Sequence, residues 1–162
     1  MVEQQEASGD ATMTRIGQAV ILLHGGDRAE ARERLAALWS EIAGSGAALH
    51  RCTLAHYMAD VQDDPGDELA WDLRALSAAQ ELSGTGEADD TGPDGGDRLA
   101  VRALHPSLHL NLAADYVKLR RPADARAHLD LARAATGALA DDGYGNGIRA
   151  AIDRLERALG PD

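Results

Sequence analysis

Apolar side chains recur every three or four positions along most of this chain, with charged residues filling the gaps. The first stripe runs Ile16, Ala19, Val20 and Leu23, the spacing of one face of a helix with 3.6 residues per turn. Gly25 and Gly26 end it, because paired glycines weaken a helix and let the chain reverse. Asp27 followed by Glu30 has the form of a capping box, so a second helix starts there. It buries Ala31, Leu35, Leu38 and Ile42 and turns Arg28, Arg32, Glu33 and Arg34 to water. Gly44-Ser45-Gly46 separates this hairpin from a third helix carrying Leu49, Leu54, Ala55 and Met58. Asp64 then caps, and Pro65 opens, a fourth helix, with Leu69, Ala70, Leu73 and Leu76 on its stripe and Trp71 offset from it.

The pattern breaks at residues 83–97, which are acidic, Gly-rich and free of large apolar groups. Such a stretch cannot bury enough surface to offset its ordering entropy and is read as a mobile loop. A short helical patch at 98–104 precedes Pro106, which is expected to restart the chain and leave His105 outside the next helix. Residues 107–132 then form the best-defined helix hairpin, broken at Arg120-Arg121-Pro122. A final helix sets Ile148, Ile152, Leu155 and Leu159 against a charged face of Arg149, Asp153, Arg154 and Arg157, which suits a terminal cap. Residues 1–10 read as a disordered tail, and 11–160 as a single all-α domain.

Composition narrows the function classes. Among 162 residues, 44% are hydrophobic and none is Phe, and the Ala/Leu bias favours closely packed helices over sheets. A net charge of −11 with no basic run repels nucleic-acid phosphates and anionic membrane surfaces and suits a basic partner. The longest apolar run, Ala19 to Leu23, is too short to span a bilayer. Cys52 is the only cysteine, so no internal disulfide forms, which fits a reducing cytosol. The polar, acidic N-terminus argues against a secretory signal, so a cytoplasmic protein is expected. One lysine beside many arginines, with abundant Ala, Gly and Asp, suggests a high-GC bacterial source.

Setting the first and third hairpins in register places Ala19, Leu22, Ala31 and Leu35 on Ala113, Tyr116, Ala125 and Leu129. With His109 and Leu112, this pattern resembles the tetratricopeptide repeat. Ala stands for the usual Gly, His for the Trp, and Gly137 for a Pro. Gln18 occupies the Leu position of the first hairpin, and the second fits through Leu54, Ala55 and Met58 with a turn about three residues longer. The resemblance implies a right-handed solenoid of about three hairpins plus the capping helix. It also implies a concave groove, formed by the first helix of each hairpin, that binds a protein or peptide. Its lining would be Ile16, Val20 and Leu23, then Cys52, His56 and Asp60, then Leu110, Ala114 and Lys118, with Asn111 at the edge. A non-enzymatic adaptor is therefore the leading expectation.

Two other classes compete. Cys52, His56 and Asp60 are spaced by four, so one helix face holds the nucleophile, base and orienter of a thiol enzyme. A single straight helix rarely supplies the oxyanion donors and cleft that acyl transfer also needs, so a small buried Cys and a His–Asp pair that fixes helix packing or lines a polar groove is preferred. A structural homo-oligomer closing the groove or the Trp39 and Trp71 faces is the third class; by default both tryptophans belong to packing. Among six histidines, the four-residue spacing of His105 and His109 suits a metal, but Pro106 is expected to make them diverge. His50 and His56 are six apart, and His24 and His128 lie in different hairpins. These histidines are read as structural, and no phosphate-binding Gly motif occurs, so neither metal nor cofactor is expected.

Overall fold

In the computed structural model the chain is all-α. Backbone is described for residues 2–83 and 95–161 and side chains for 11–82 and 95–161; among these there are seven α-helices, one 3-10 turn and no strand. The chain divides into two compact units, Met1–Ala78 and Ala79–Asp162, where the sequence reads one domain. No helix among the described residues is long and apolar enough to cross a membrane.

The first unit contains α1 (Val2–His24), α2 (Arg28–Ile42), α3 (Ala48–Asp60) and most of α4 (Pro65–Ser83). Helix α1 takes in the stretch read as a tail, whose Glu, Gln and Ala residues are strong helix formers. Helix α2 packs on α1 and on α3, and α1 also reaches α3. Their shared core is Ile16, Ala19, Leu35, Leu38, Ile42, Leu54, Met58 and Val61. Trp39 and Trp71 pack against it and meet edge to face at 4.9 Å. Trp71 thus takes the packing role expected of Leu73, which stays exposed. The Asp27 carboxylate accepts from the Glu30 N–H at 3.4 Å, while the Glu30 carboxylate receives Arg34 at 2.8 Å. Asp64 accepts from the N–H groups of Gly66 and Asp67, capping α4 as its position before Pro65 predicts. The turn from α3 to α4 holds four residues, shorter than the repeat register implies.

The second unit contains α5 (Gly95–Lys118), α6 (Pro122–Ala134), the 3-10 turn (Ala135–Ala138) and α7 (Gly143–Leu159). Most of the acidic 83–97 stretch lies outside the described residues, and its last three residues are the first turn of α5. Helix α5 runs through Pro106 without interruption, so the expected restart is overturned and His105 is inside the helix. Proline lacks the N–H that would bond one turn back; the long helix on either side tolerates the loss, and Ser107 donates its hydroxyl to the Leu104 carbonyl at 2.9 Å. Helix α6 packs on both α5 and α7, and α5 also reaches α7. Ala113, Leu129, Ala132 and Ile152 form one core cluster, flanked by Leu110, Ile148, Leu155 and Leu159. Asp142 caps α7 through the Gly145 N–H at 2.7 Å. A Cβ at Gly145 would collide with the Ala140 carbonyl oxygen, so glycine is required there.

The first hairpin of each unit ends in the same turn. Gly26 (φ +92°) and Arg120 (φ +59°), 94 positions apart, are the left-handed residues after α1 and α5. The N–H of Gly26 bonds the Leu23 carbonyl and that of Asp27 the Leu22 carbonyl. Arg120 to Val117 and Arg121 to Tyr116 repeat both bonds at the same offset. This is the Schellman arrangement, which satisfies carbonyls left over at a helix end.

Candidate functional site

The most site-like surface in the second unit is a cleft between α5 and α7. Leu110, Asn111 and Ala114 from α5 face Ala151, Arg154, Leu155 and Ala158 from α7 across about 440 Å³. The helices place these residues by periodicity: 110, 111 and 114 fall on one face of α5, and 151, 154, 155 and 158 on one face of α7. Small side chains on both walls keep the cleft open, and its only polar side chains are Asn111 and Arg154. Three of the four residues expected from this part of the chain therefore meet in one cleft. Lys118, exposed in the last turn of α5, is not among its lining. The α7 wall was missing from the sequence reading, which treated α7 as a cap.

In the first unit the expected groove residues take different places. Ile16 is buried in the core and Val20 is packed against it. Cys52 is fully buried, and burial pushes its thiol up to about 12. Helix α3 thus turns Cys52 inward beside Leu54, Ala55 and Met58, so neither Ile16 nor Cys52 offers groove surface. His56 is half-buried and touches the Tyr57 ring edge-on at 5.1 Å. Burial pushes the imidazole down, against the pull of Asp60. Asp60 keeps solvent contact, yet desolvation pushes its carboxyl up, opposed first by His56 and reinforced by Glu68. Arg28 crosses from α2 to donate to the carbonyls of Asp60 and Gln62 and to the Asp63 carboxylate, at 2.9, 3.0 and 3.0 Å. That fork satisfies the end of α3.

The second unit also assembles a column of planar groups. His105 stacks on His109 at 5.9 Å, His109 meets His128 end to end with ring centres 5.4 Å apart, and His128 lies near parallel to Tyr116 at 5.4 Å. The Arg121 guanidinium closes the far end, 5.0 Å from the Tyr116 ring centre. His128 from α6 slots between two α5 rings that stand two helical turns apart, a gap of roughly 10 Å. Nδ1 of His109 and Nδ1 of His128 are 3.1 Å apart, the distance of a hydrogen bond. Burial lowers the pKa of His109 to about 4, with help from His128 and His105; burial also lowers that of His105 and His128, the latter opposed by Asp124. The expected divergence of His105 from His109 is overturned because α5 is continuous. The approach of His109 and His128 was legible in the repeat register. They sit four before Ala113 and three after Ala125, the paired small residues of the hairpin.

No protein-family model matches the chain, and no curated protein or solved structure matches it significantly.

Proposed function

We propose that this protein is a non-enzymatic binding module whose units are built from tetratricopeptide-like hairpins, and that the α5–α7 cleft receives a short peptide. The observation that carries this reading is the cleft itself: apolar walls of Leu110, Ala114, Ala151, Leu155 and Ala158 with one amide and one guanidinium. Such a lining suits an apolar side chain as anchor, with Asn111 and Arg154 holding peptide carbonyls. The repeat architecture draws support from the turn shared at an offset of 94 residues. It draws further support from the packing common to both units, in which the second of three helices touches both neighbours and the first reaches the third.

The thiol-enzyme alternative has less behind it. With the Cys52 thiol raised to about 12, only about one molecule in 10⁵ carries the thiolate nucleophile at pH 7. The α5–α7 cleft carries one amide and one guanidinium able to hydrogen-bond a ligand, and no nucleophile lies among its lining.

The test is a selection of peptides from a random display library on the intact protein, followed by affinity measurement on Ala114→Trp. An indole at position 114 fills the cleft. Loss of one buried anchor worth about 1.5–3 kcal/mol weakens selected peptides by roughly 10- to 150-fold, while circular dichroism keeps the helical signal. Peptides that bind the substituted protein equally well overturn the groove reading.

A further inference from the structure

We infer that His109 and His128 form a two-imidazole site for one divalent transition-metal ion of the copper, nickel or zinc class. The site is separate from the cleft and does not depend on the peptide-binding reading. Imidazole nitrogen is a favoured ligand for these ions, at about 2.0–2.1 Å. Two Nδ1 atoms 3.1 Å apart and each about 2.05 Å from an ion subtend roughly 100° at it, between the octahedral and tetrahedral angles. The rings meet end to end with planes within 24° of one another, so an ion takes its place beside the Nδ1–Nδ1 line and each ring turns about its soft terminal torsion to aim its lone pair there. The ring that donates in the present Nδ1 contact moves its proton to Nε2, which frees both Nδ1 lone pairs and releases no proton.

The surroundings favour the bound ion. The two histidines come from different helices of one hairpin, and Ala113 and Ala125, both fully buried, let those helices approach. The donor pair is therefore held by the fold. Packing against His105 on one side and Tyr116 on the other restrains the two rings. Asp124, ion-paired to Arg121 at 2.8 Å, stands one helical turn before His128 and acts on it electrostatically, adding negative charge near the pair. His128 is half-buried, which leaves water to complete the coordination. A net charge of −11 adds a general attraction for cations.

The experiment titrates chelator-stripped full-length protein with Cu²⁺ and, separately, Zn²⁺. One equivalent is expected, with two equivalent nitrogens coupled to Cu²⁺ in the electron paramagnetic resonance spectrum. His109→Gln and His128→Gln should each weaken binding by at least about 10-fold, since loss of even an outer partner commonly costs that much. His24→Gln should change nothing. If either glutamine variant fails to fold, Zn²⁺-induced ¹⁵N shifts at the His109 and His128 Nδ1 atoms of the unaltered protein decide the matter. Binding that survives both substitutions in folded protein, no stoichiometric binding, or shifts confined to other histidines overturns the site.

Discussion

At the scale of single residues, His109 ties folding to pH. Its pKa is about 4 in the folded chain against 6.5 for the ordinary imidazole. Between those values the unfolded chain binds the extra proton, so stability rises with pH. The contribution is complete above about pH 6.5 and is lost as pH falls toward 4, on the order of 2 kcal/mol for a group that keeps some solvent contact. Urea unfolding of metal-free protein from pH 7 to 4.5 should show this loss, and His109→Gln should show a shallower one, because glutamine does not titrate. Equal slopes would remove His109 from that role. The same residue marks what the sequence made legible. The register that paired Ala113 with Ala125 already implied that His109 meets His128, but comparing histidines by their spacing along the chain hid a contact made across a hairpin. Cys52 was read two ways: helical spacing puts it in line with His56 and Asp60 on a groove face, and its burial agrees with the alternative of a small buried thiol.

At the scale of elements, the amphipathic stripes of α2 and α7 could be read directly. All four residues expected to face inward on α2 are buried, and all four on α7 belong to the second core. Helix α4 was less legible, since its stripe included Leu73 and left out Trp71, whose ring has the Arg74 guanidinium over it at 4.3 Å. Helix α5 overrode a local rule: the residue before a proline disfavours the helical region, yet the helix runs from Gly95 to Lys118. The repeated turn yields a paired expectation. Gly26→Ala places a Cβ in the left-handed region and should destabilise the protein by about 1 kcal/mol. Arg120→Gly removes that penalty at the equivalent position and should stabilise by up to about 1 kcal/mol, less the entropy glycine adds to the unfolded chain. Thermal or urea melts of the two variants check the opposite signs. Two shifts of the same sign would separate the turns physically.

At the scale of the whole molecule, charge governs encounter more than fold. With −11 net charge, association with a basic peptide should slow as salt rises from 20 to 200 mM, roughly 10-fold or more for a strongly charged ligand. Stopped-flow association rates measure this directly, with dissociation rates expected to move far less. Rates that ignore salt would point to recognition by the apolar cleft alone. The division into two units was not legible, because the resemblance covers most of residues 12–136 and the acidic stretch at 83–97 that interrupts it reads as a loop within one domain.

One consequence of the Trp39–Trp71 contact concerns how this molecule can be watched. Both of the chain's tryptophans lie in the first unit, 4.9 Å apart. Intrinsic indole fluorescence therefore reports the first unit alone. Opening of the second unit, which holds Tyr116 and Tyr144 but no tryptophan, would pass unseen in an emission scan that excites indole alone. Far-ultraviolet circular dichroism sums both units, so a gap between optical and dichroic melting curves would be a direct reading of their separate stabilities.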